Sequence, residues 1–464
     1  MFVLFSIGAI AQAGSPEYLV RLNNADADSQ AEFLSRNGGT LTLVSAPGNL
    51  FKWVGDQNRD LSWDGNIRYV QTNHQFRMID SPSLVENRAA LQAELLANPV
   101  RETRATDNPD ILNPGIQATG ADPMLTQAWG VFTTGANLAW PKTSQGKGII
   151  VAVTDTGVDY NHPDLMTNMW RNKKEIPGDG IDNDGNGFVD DLVGWDFASN
   201  DNKPFDLSLS LLEILFQGGN PGHGTHVSGV VGAQLNNGQG VAGVAPQVQI
   251  MALRFITEKG SGNDADAIKA IDYAVANGAN IINASWGGEK GTEDDSALIE
   301  CIERANKAGV IFVAAAGNGR VNAAQTASEG FDNDSDAKPM VPATFDIPNI
   351  VSVAATDDKD ALGTFSNWGH KSVKLAAPGV KILSTIPGGK YQDTIVDLGS
   401  VKATWDGTSM AAPFVSGALA VIWSKSSAQT AGQVISDLLT RVTPVAALKD
   451  KVATGGRLDL RSLR

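Results

Sequence analysis

Gly148-Ile149-Ile150-Val151-Ala152-Val153-Thr154-Asp155-Thr156-Gly157 is the stretch on which the reading of this chain turns. Its apolar part shows no alternation between apolar and polar residues. Such a run marks a strand buried on both faces, as in a parallel sheet covered by helices. It ends in Asp155, Thr156 and Gly157, at the carboxyl end of the strand. That is the rim where open parallel sheets hold ligands.

Similar runs recur downstream. Candidate strands lie at 149–154, 249–255, 280–284, 310–315, 350–354 and 373–376, and candidate helices near 224–234, 264–277, 295–307, 409–424 and 428–441. The second helix places Ile268, Ile271 and Val275 on one face and stops at Gly278. Strands alternating with helices predict an α/β fold over residues 121–464: a mostly parallel, doubly wound sheet with helices on both faces.

The chain ahead of residue 121 is organised differently. Residues 14–80 read as a small α+β unit, with strands at 18–22, 41–44, 50–54 and 67–70 and a helix near 30–36. The order β-α-β-β-(short helix)-β is that of a ferredoxin-like split βαβ. Residues 81–120 carry a helical pattern near 85–97 and then a Pro- and Asn-rich stretch without periodicity, the composition of an exposed connector. Residues 1–13 are apolar and close on Ala11-Gln12-Ala13. This stretch is too short to span a bilayer and ends in a small-x-small cleavage pattern, so it reads as a secretory signal. The expected location is extracellular or periplasmic.

Composition excludes several function classes. With 36 Lys and Arg against 51 Asp and Glu, the net charge is −15 and no basic run interrupts it. A nucleic-acid surface or an anionic-membrane surface is therefore not expected. Cys301 is the only cysteine, so no intramolecular disulfide can form. It lies in a helical apolar pattern and reads as a buried, inert thiol rather than a nucleophile.

Three polar segments carry the chemistry. Asp155-Thr156-Gly157 comes first, Gly222-His223-Gly224-Thr225-His226 second and Gly407-Thr408-Ser409-Met410-Ala411-Ala412-Pro413 third. A Ser hydroxyl becomes a competent nucleophile when a His takes its proton and a carboxylate orients that His. Ser409 precedes an apolar helical run, which puts its amide at a helix N-terminus, where an oxyanion is favoured. The Gly-x-Ser-x-Ala form departs from the Gly-x-Ser-x-Gly elbow of α/β-hydrolases. His223, flanked by glycines, is the better candidate to face Ser409, and His226 reads as a packed neighbour. A zinc site fails for want of a third ligand and of a His-Glu-x-x-His pattern. Asn318, in Gly317-Asn318-Gly319 after a strand, is the candidate oxyanion donor.

These segments resemble the subtilisin-like serine proteases over residues 121–460. The resemblance implies that Asp155, His223 and Ser409 form a triad and that Asn318 with the Ser409 amide forms the oxyanion hole. It implies that Ser285, Trp286, Gly287 and Gly288, with Gly317, bind an extended substrate by strand addition. It further implies a monomeric endopeptidase acting on polypeptides. Residues 14–80 would be an inhibitory propeptide, removed by a cut between about Arg104 and Ala121.

Asp182-Asn183-Asp184-Gly185-Asn186-Gly187-Phe188-Val189-Asp190-Asp191 is a further signal. Oxygen ligands at positions 1, 3 and 5 with Gly near the turn follow the opening of a calcium loop. The glutamate that usually closes such a loop is absent. Asp182, Asp184 and Asn186, closed by Asp190 or Asp191, are the expected ligands of a structural calcium ion. Residues 207–216 form an unusually apolar insertion ahead of His223, expected as a short helix packed on the core or as a rim beside the site.

Overall fold

Val151, Ala152 and Val153 are all fully buried. Successive side chains of a strand point to opposite faces, so both faces of this strand are covered. The computed structural model describes residues 17–463 except 57–60, 62–63, 79–80, 101–108, 115–118, 220, 292–294, 325 and 427. The expected signal segment 1–13 lies outside the described residues.

The strand Ile150–Asp155 sits inside a nine-stranded sheet. The order is Val442–Pro444, Gly456–Leu458, Leu375–Pro378, Ile350–Thr356, Ile311–Ala315, Ile281–Ala284, Ile150–Asp155, Gln249–Arg254 and Gly194–Asp196. All neighbours run parallel except the edge pair Val442–Pro444 and Gly456–Leu458. The helices His223–Gly232 and Thr408–Trp423 contribute to the same apolar cluster as Val151 and Val153. Cys301 is buried, and burial pushes its thiol well above the ordinary value. It is the inert thiol the sequence predicts.

The chain divides into two compact units. One comprises the described residues up to His74 together with 295–297, and the other the remaining described residues. In the first, Thr40–Ser45, Leu50–Val54, Glu17–Leu22 and Ile67–Thr72 form an antiparallel sheet in that order. The helix Ala27–Asn37 starts at Asp26, whose side chain accepts from Ser29 N. Val20, Leu22, Phe33, Phe51 and Trp53 fill its core. The short helix expected before residue 67 falls largely on residues outside the described ones.

Within the larger unit, Pro82–Ala97 is a 16-residue helix. Its Leu84, Leu91 and Leu95 pack with Leu209, Ile214 and Leu215 of the apolar insertion and with Val396 and Ala403. The insertion contains the helix Leu211–Gln217, opened by a capping box between Ser210 and Glu213. Its apolar residues therefore meet an apolar partner, although Leu212 and Phe216 remain exposed. Among the described residues, no helix is long and apolar enough to cross a membrane.

Candidate active site

The carboxyl ends of three adjacent strands carry the candidate residues. Asp155 ends Ile150–Asp155, Ser285 follows Ile281–Ala284, and Gly317 and Asn318 follow Ile311–Ala315. Asp155 Oδ1 accepts from Thr156 N at 2.7 Å and from His223 Nδ1 at 2.7 Å. Both side chains are buried. His223 opens its helix directly after Gly222, so its ring projects from the first turn. The next residue has to be glycine, because a Cβ on Gly224 would fall 2.0 Å from Gly157 O. This close approach is what brings the helix start against the end of the Asp155 strand.

Ser409 lies in the first turn of Thr408–Trp423. Its Oγ donates to Ser285 O at 2.9 Å, and Ser285 Oγ donates to Ser409 O at 2.8 Å. Asn318 Oδ1 accepts from both Thr408 N and Thr408 Oγ1 at 2.8 Å. Thr408 Oγ1 in turn accepts from Gly317 N at 3.1 Å. With Oδ1 committed to Thr408, Nδ2 is the end of the amide left for a ligand oxygen. Gly407 keeps room there, since a Cβ would sit 3.1 Å from Asn318 Nδ2. Ser285, Trp286, Gly287, Gly317, Asn318 and Ser409 line one hollow.

His226 stands apart from this hollow, as its sequence context predicts. Its Nε2 donates to Ile382 O at 2.8 Å, and its ring stacks on Trp405 with centroids 4.6 Å apart. Burial, then the neighbouring His223 charge, lower its pKa to about 3, so it is neutral.

The sequence of the site has counterparts. The model of the subtilase family (Peptidase S8) matches residues 146–455. The chain belongs to the subtilase family. A "Thermophilic serine proteinase" of Bacillus sp. (strain AK1) is 36% identical over 297 residues, 64% of this chain and 57% of that protein. "Subtilisin-like protease 2" of Plasmodium falciparum (isolate 3D7) is 35% identical over 317 residues, 66% of this chain and 20% of that protein. "Subtilisin-like protease 1" of the same isolate is 31% identical over 318 residues, 67% of this chain and 42% of that protein. The chain thus spans little more than half of the first relative and less of the other two.

Two features of this subtilase were not visible as motifs. The first is a buried carboxylate, Asp206, whose Oδ1 accepts from Thr156 Oγ1 and Gly222 N and whose Oδ2 accepts from Thr225 N and Oγ1. Burial pushes its carboxyl up to about 7, against the Thr225 and Thr156 donors. The second is the chain's own segment Gln75–Arg77, which pairs antiparallel with Ser261–Asn263. Phe76 stacks on Trp286 at 5.5 Å and 8° and meets Phe255 edge-on at 5.7 Å. Met78 N donates to Gly260 O at 2.7 Å, and the Met78 side chain lines the hollow beside Ser409. No strand signal marks Gln75-Phe76-Arg77-Met78 in the sequence.

The acidic loop of the subtilase is arranged around a residue outside it. Ligand-capable oxygens of Glu175, Asp182 and Asp184 lie within 4.8 Å of one another. Glu175 also accepts from Asn183 N, Asp184 N and Asp190 N. Asp190 turns its carboxylate to Gly178 N and Gly180 N. Asp191 accepts from Asn172, Asn186 and Tyr273 side chains. Asn186 Nδ2 is the donor in that last set, while its Oδ1 accepts from Phe188 N. Three hard oxygen donors this close repel one another as carboxylates, and with Lys174 3.6 Å from Asp184 as the neighbouring cation, the set suits a divalent metal.

Proposed function

We propose that this chain is a secreted serine endopeptidase, made as a self-inhibited precursor and stabilised by calcium. The observation that supports it most strongly is the Asp155–His223 bond standing one strand away from the Ser285–Ser409 pair and two from Asn318. Ser409 Oγ, rotated off the Ser285 carbonyl, attacks the scissile carbonyl of a polypeptide. His223 accepts its proton and returns it to the leaving amine, while Asp155 holds the Nδ1–H tautomer. Asn318 Nδ2 and the Ser409 amide receive the developing oxyanion, each such donor contributing about 3–4 kcal/mol in the transition state. Substrate backbone adds alongside Ser261–Asn263 and Ser285–Gly288, in the place that residues 75–78 take in the precursor.

The same segment supports the precursor reading. Residues 14–80 act as the inhibitory propeptide, and a first cut falls between Met78 and Ser81, with the cut between about Arg104 and Ala121 to follow. Export rests on the Ala11-Gln12-Ala13 pattern. Calcium would be held by Glu175, Asp182 and Asp184, where its charge offsets the repulsion of the three carboxylates and ties Glu175 to the turn. The enzyme acts as a monomer, without nucleic acid or membrane partners.

Ser409→Ala tests the reading. Cleavage of unfolded protein should vanish, uncut precursor should accumulate, and a fluorophosphonate probe should label the parent protein but not the variant. Undiminished hydrolysis by Ser409→Ala would falsify it.

A further inference from the structure

Asp206 has no place in the chemistry above, yet it bonds to chain neighbours of both Asp155 and His223. It is fully buried. Its Oδ1 accepts from Thr156 Oγ1 at 3.0 Å and Gly222 N at 3.1 Å, and its Oδ2 from Thr225 N at 2.9 Å and Thr225 Oγ1 at 2.7 Å. Thr156 follows Asp155, and Gly222 and Thr225 bracket His223. Thr156 Oγ1 also accepts from Gly224 N at 3.0 Å, closing a ring of bonds between the strand end and the helix start. Before Asp206, Val158 N donates to Pro204 O, and a Cβ on Gly157 would strike the Phe205 backbone at 2.7 Å, so this stretch lies flat against residues 156–158. After Asp206 the chain leaves on an excursion that holds the helix Leu211–Gln217, and Gly222 donates back to the same carboxylate.

We propose that Asp206 is a positioning residue for the hydrolysis: it ties the start of the His223 helix to the end of the Asp155 strand and so fixes the His223–Asp155 pair. The proposal rests on the function assigned above. Four donors converge on this carboxylate, two of them backbone N–H groups that cannot turn away. An amide in its place offers acceptor capacity on one side only and sets an NH₂ against a backbone N–H on the other. The helix start then shifts relative to Asp155. A displacement of about 1 Å in a catalytic pair costs on the order of 100-fold in rate. Asp206 and Thr156 are both fully buried, away from any surface a substrate strand could reach, so KM is expected to hold.

The test compares Asp206→Asn, Thr156→Val and Thr156→Ser with the parent, as kcat and KM on one peptide, each kcat scaled to the folded fraction. Asp206→Asn and Thr156→Val should both lose kcat by about 30- to 100-fold with KM within about threefold, and Thr156→Ser should recover most of it. Their double variant should be no worse than Asp206→Asn alone, because the two act through one ring of bonds. Leu212→Glu and Phe216→Ser, on the exposed side of the excursion, should leave kcat unchanged. A Thr156→Val enzyme with parental kcat overturns the proposal even where Asp206→Asn fails to fold. So does a loss in Asp206→Asn that appears wholly in KM. A parent protein that hydrolyses nothing instead defeats the function assigned above, which separates the two failures.

Discussion

Ser285 and Ser409 exchange hydrogen bonds, each hydroxyl donating to the other's main-chain carbonyl, at 2.8 and 2.9 Å. The reason lies four residues into the helix. Pro413 has no N–H, so the Ser409 carbonyl lacks its usual helical donor. Ser285 Oγ supplies one, and is itself oriented by Asn283 Nδ2 at 2.9 Å. The turn that carries Ser409 is thus tied to the strand by a bond that the helix cannot provide for itself.

Ser285→Ala should therefore leave a buried carbonyl without a donor and destabilise the fold by about 1–3 kcal/mol. In a Pro413→Ala background the restored N–H takes over that carbonyl, and the same change should cost at least about 1 kcal/mol less. Urea unfolding of the four proteins of this cycle gives the coupling. Additive effects would show that Pro413 and Ser285 are unrelated.

A second prediction follows from Phe76 on Trp286. Transferring a Phe side chain from water to an apolar site gains about 1.5–3 kcal/mol. Phe76→Ala in the precursor should slow its processing. In a peptide that carries the Gln-Phe-Arg-Met order, the same change should lower kcat/KM by about 10- to 100-fold. Mass analysis of the processed protein and peptide kinetics supply the two readouts. Equal rates for both peptides would remove the stacking from substrate choice.

The long, doubly buried strands and the Gly-flanked polar segments at 155–157, 222–226 and 407–413 were legible because each is a local pattern. Ile150–Asp155 and Ile350–Thr356 read as continuous apolar runs. The strands Gly194–Asp196, Val442–Pro444 and Gly456–Leu458 span three residues each, too few for any period to register. The hydrogen bonds of Asp206 were not legible because its partners lie 16, 19 and 50 residues away. The convergence of Glu175 on Asp182 and Asp184 was not legible for a related reason: Glu175 precedes the 182–191 loop, whose own spacing suggests a self-contained set. Asp190 accepts from the backbone amides of Gly178 and Gly180, and Asp191 from neighbouring side chains, relations that the loop's own spacing does not encode.

His226 makes a pH prediction. Its folded pKa of about 3 lies below the ordinary 6.5, so the unfolded chain binds the extra proton first. Stability is then fully present above pH 6.5 and is lost as pH falls toward 3, at about 1.4 kcal/mol per pH unit. Replacing His226 by Gln removes the titrating group and should flatten that decline, whatever it does to the plateau. Urea midpoints of Ser409→Ala proteins between pH 7 and 4, with and without His226→Gln, read the difference. Parallel curves would mean that other groups govern the acid limb.

Calcium removal separates two ligand sets. If Glu175, Asp182 and Asp184 hold the ion, calcium at about 100 times its Kd should stabilise the parent by about 3 kcal/mol, and excess chelator should lower Tm accordingly. Glu175→Gln should remove most of this calcium response, because it takes away one of the three converging charges while lying outside the loop motif. Asp190→Asn should lower Tm equally with and without calcium, since its carboxylate receives Gly178 N and Gly180 N instead. The decisive quantity is the calcium-dependent part of Tm in each variant, measured by calorimetry. If Asp190→Asn abolishes that part and Glu175→Gln preserves it, the loop binds its ion through its own closing aspartate and the role of Glu175 is only to brace the turn.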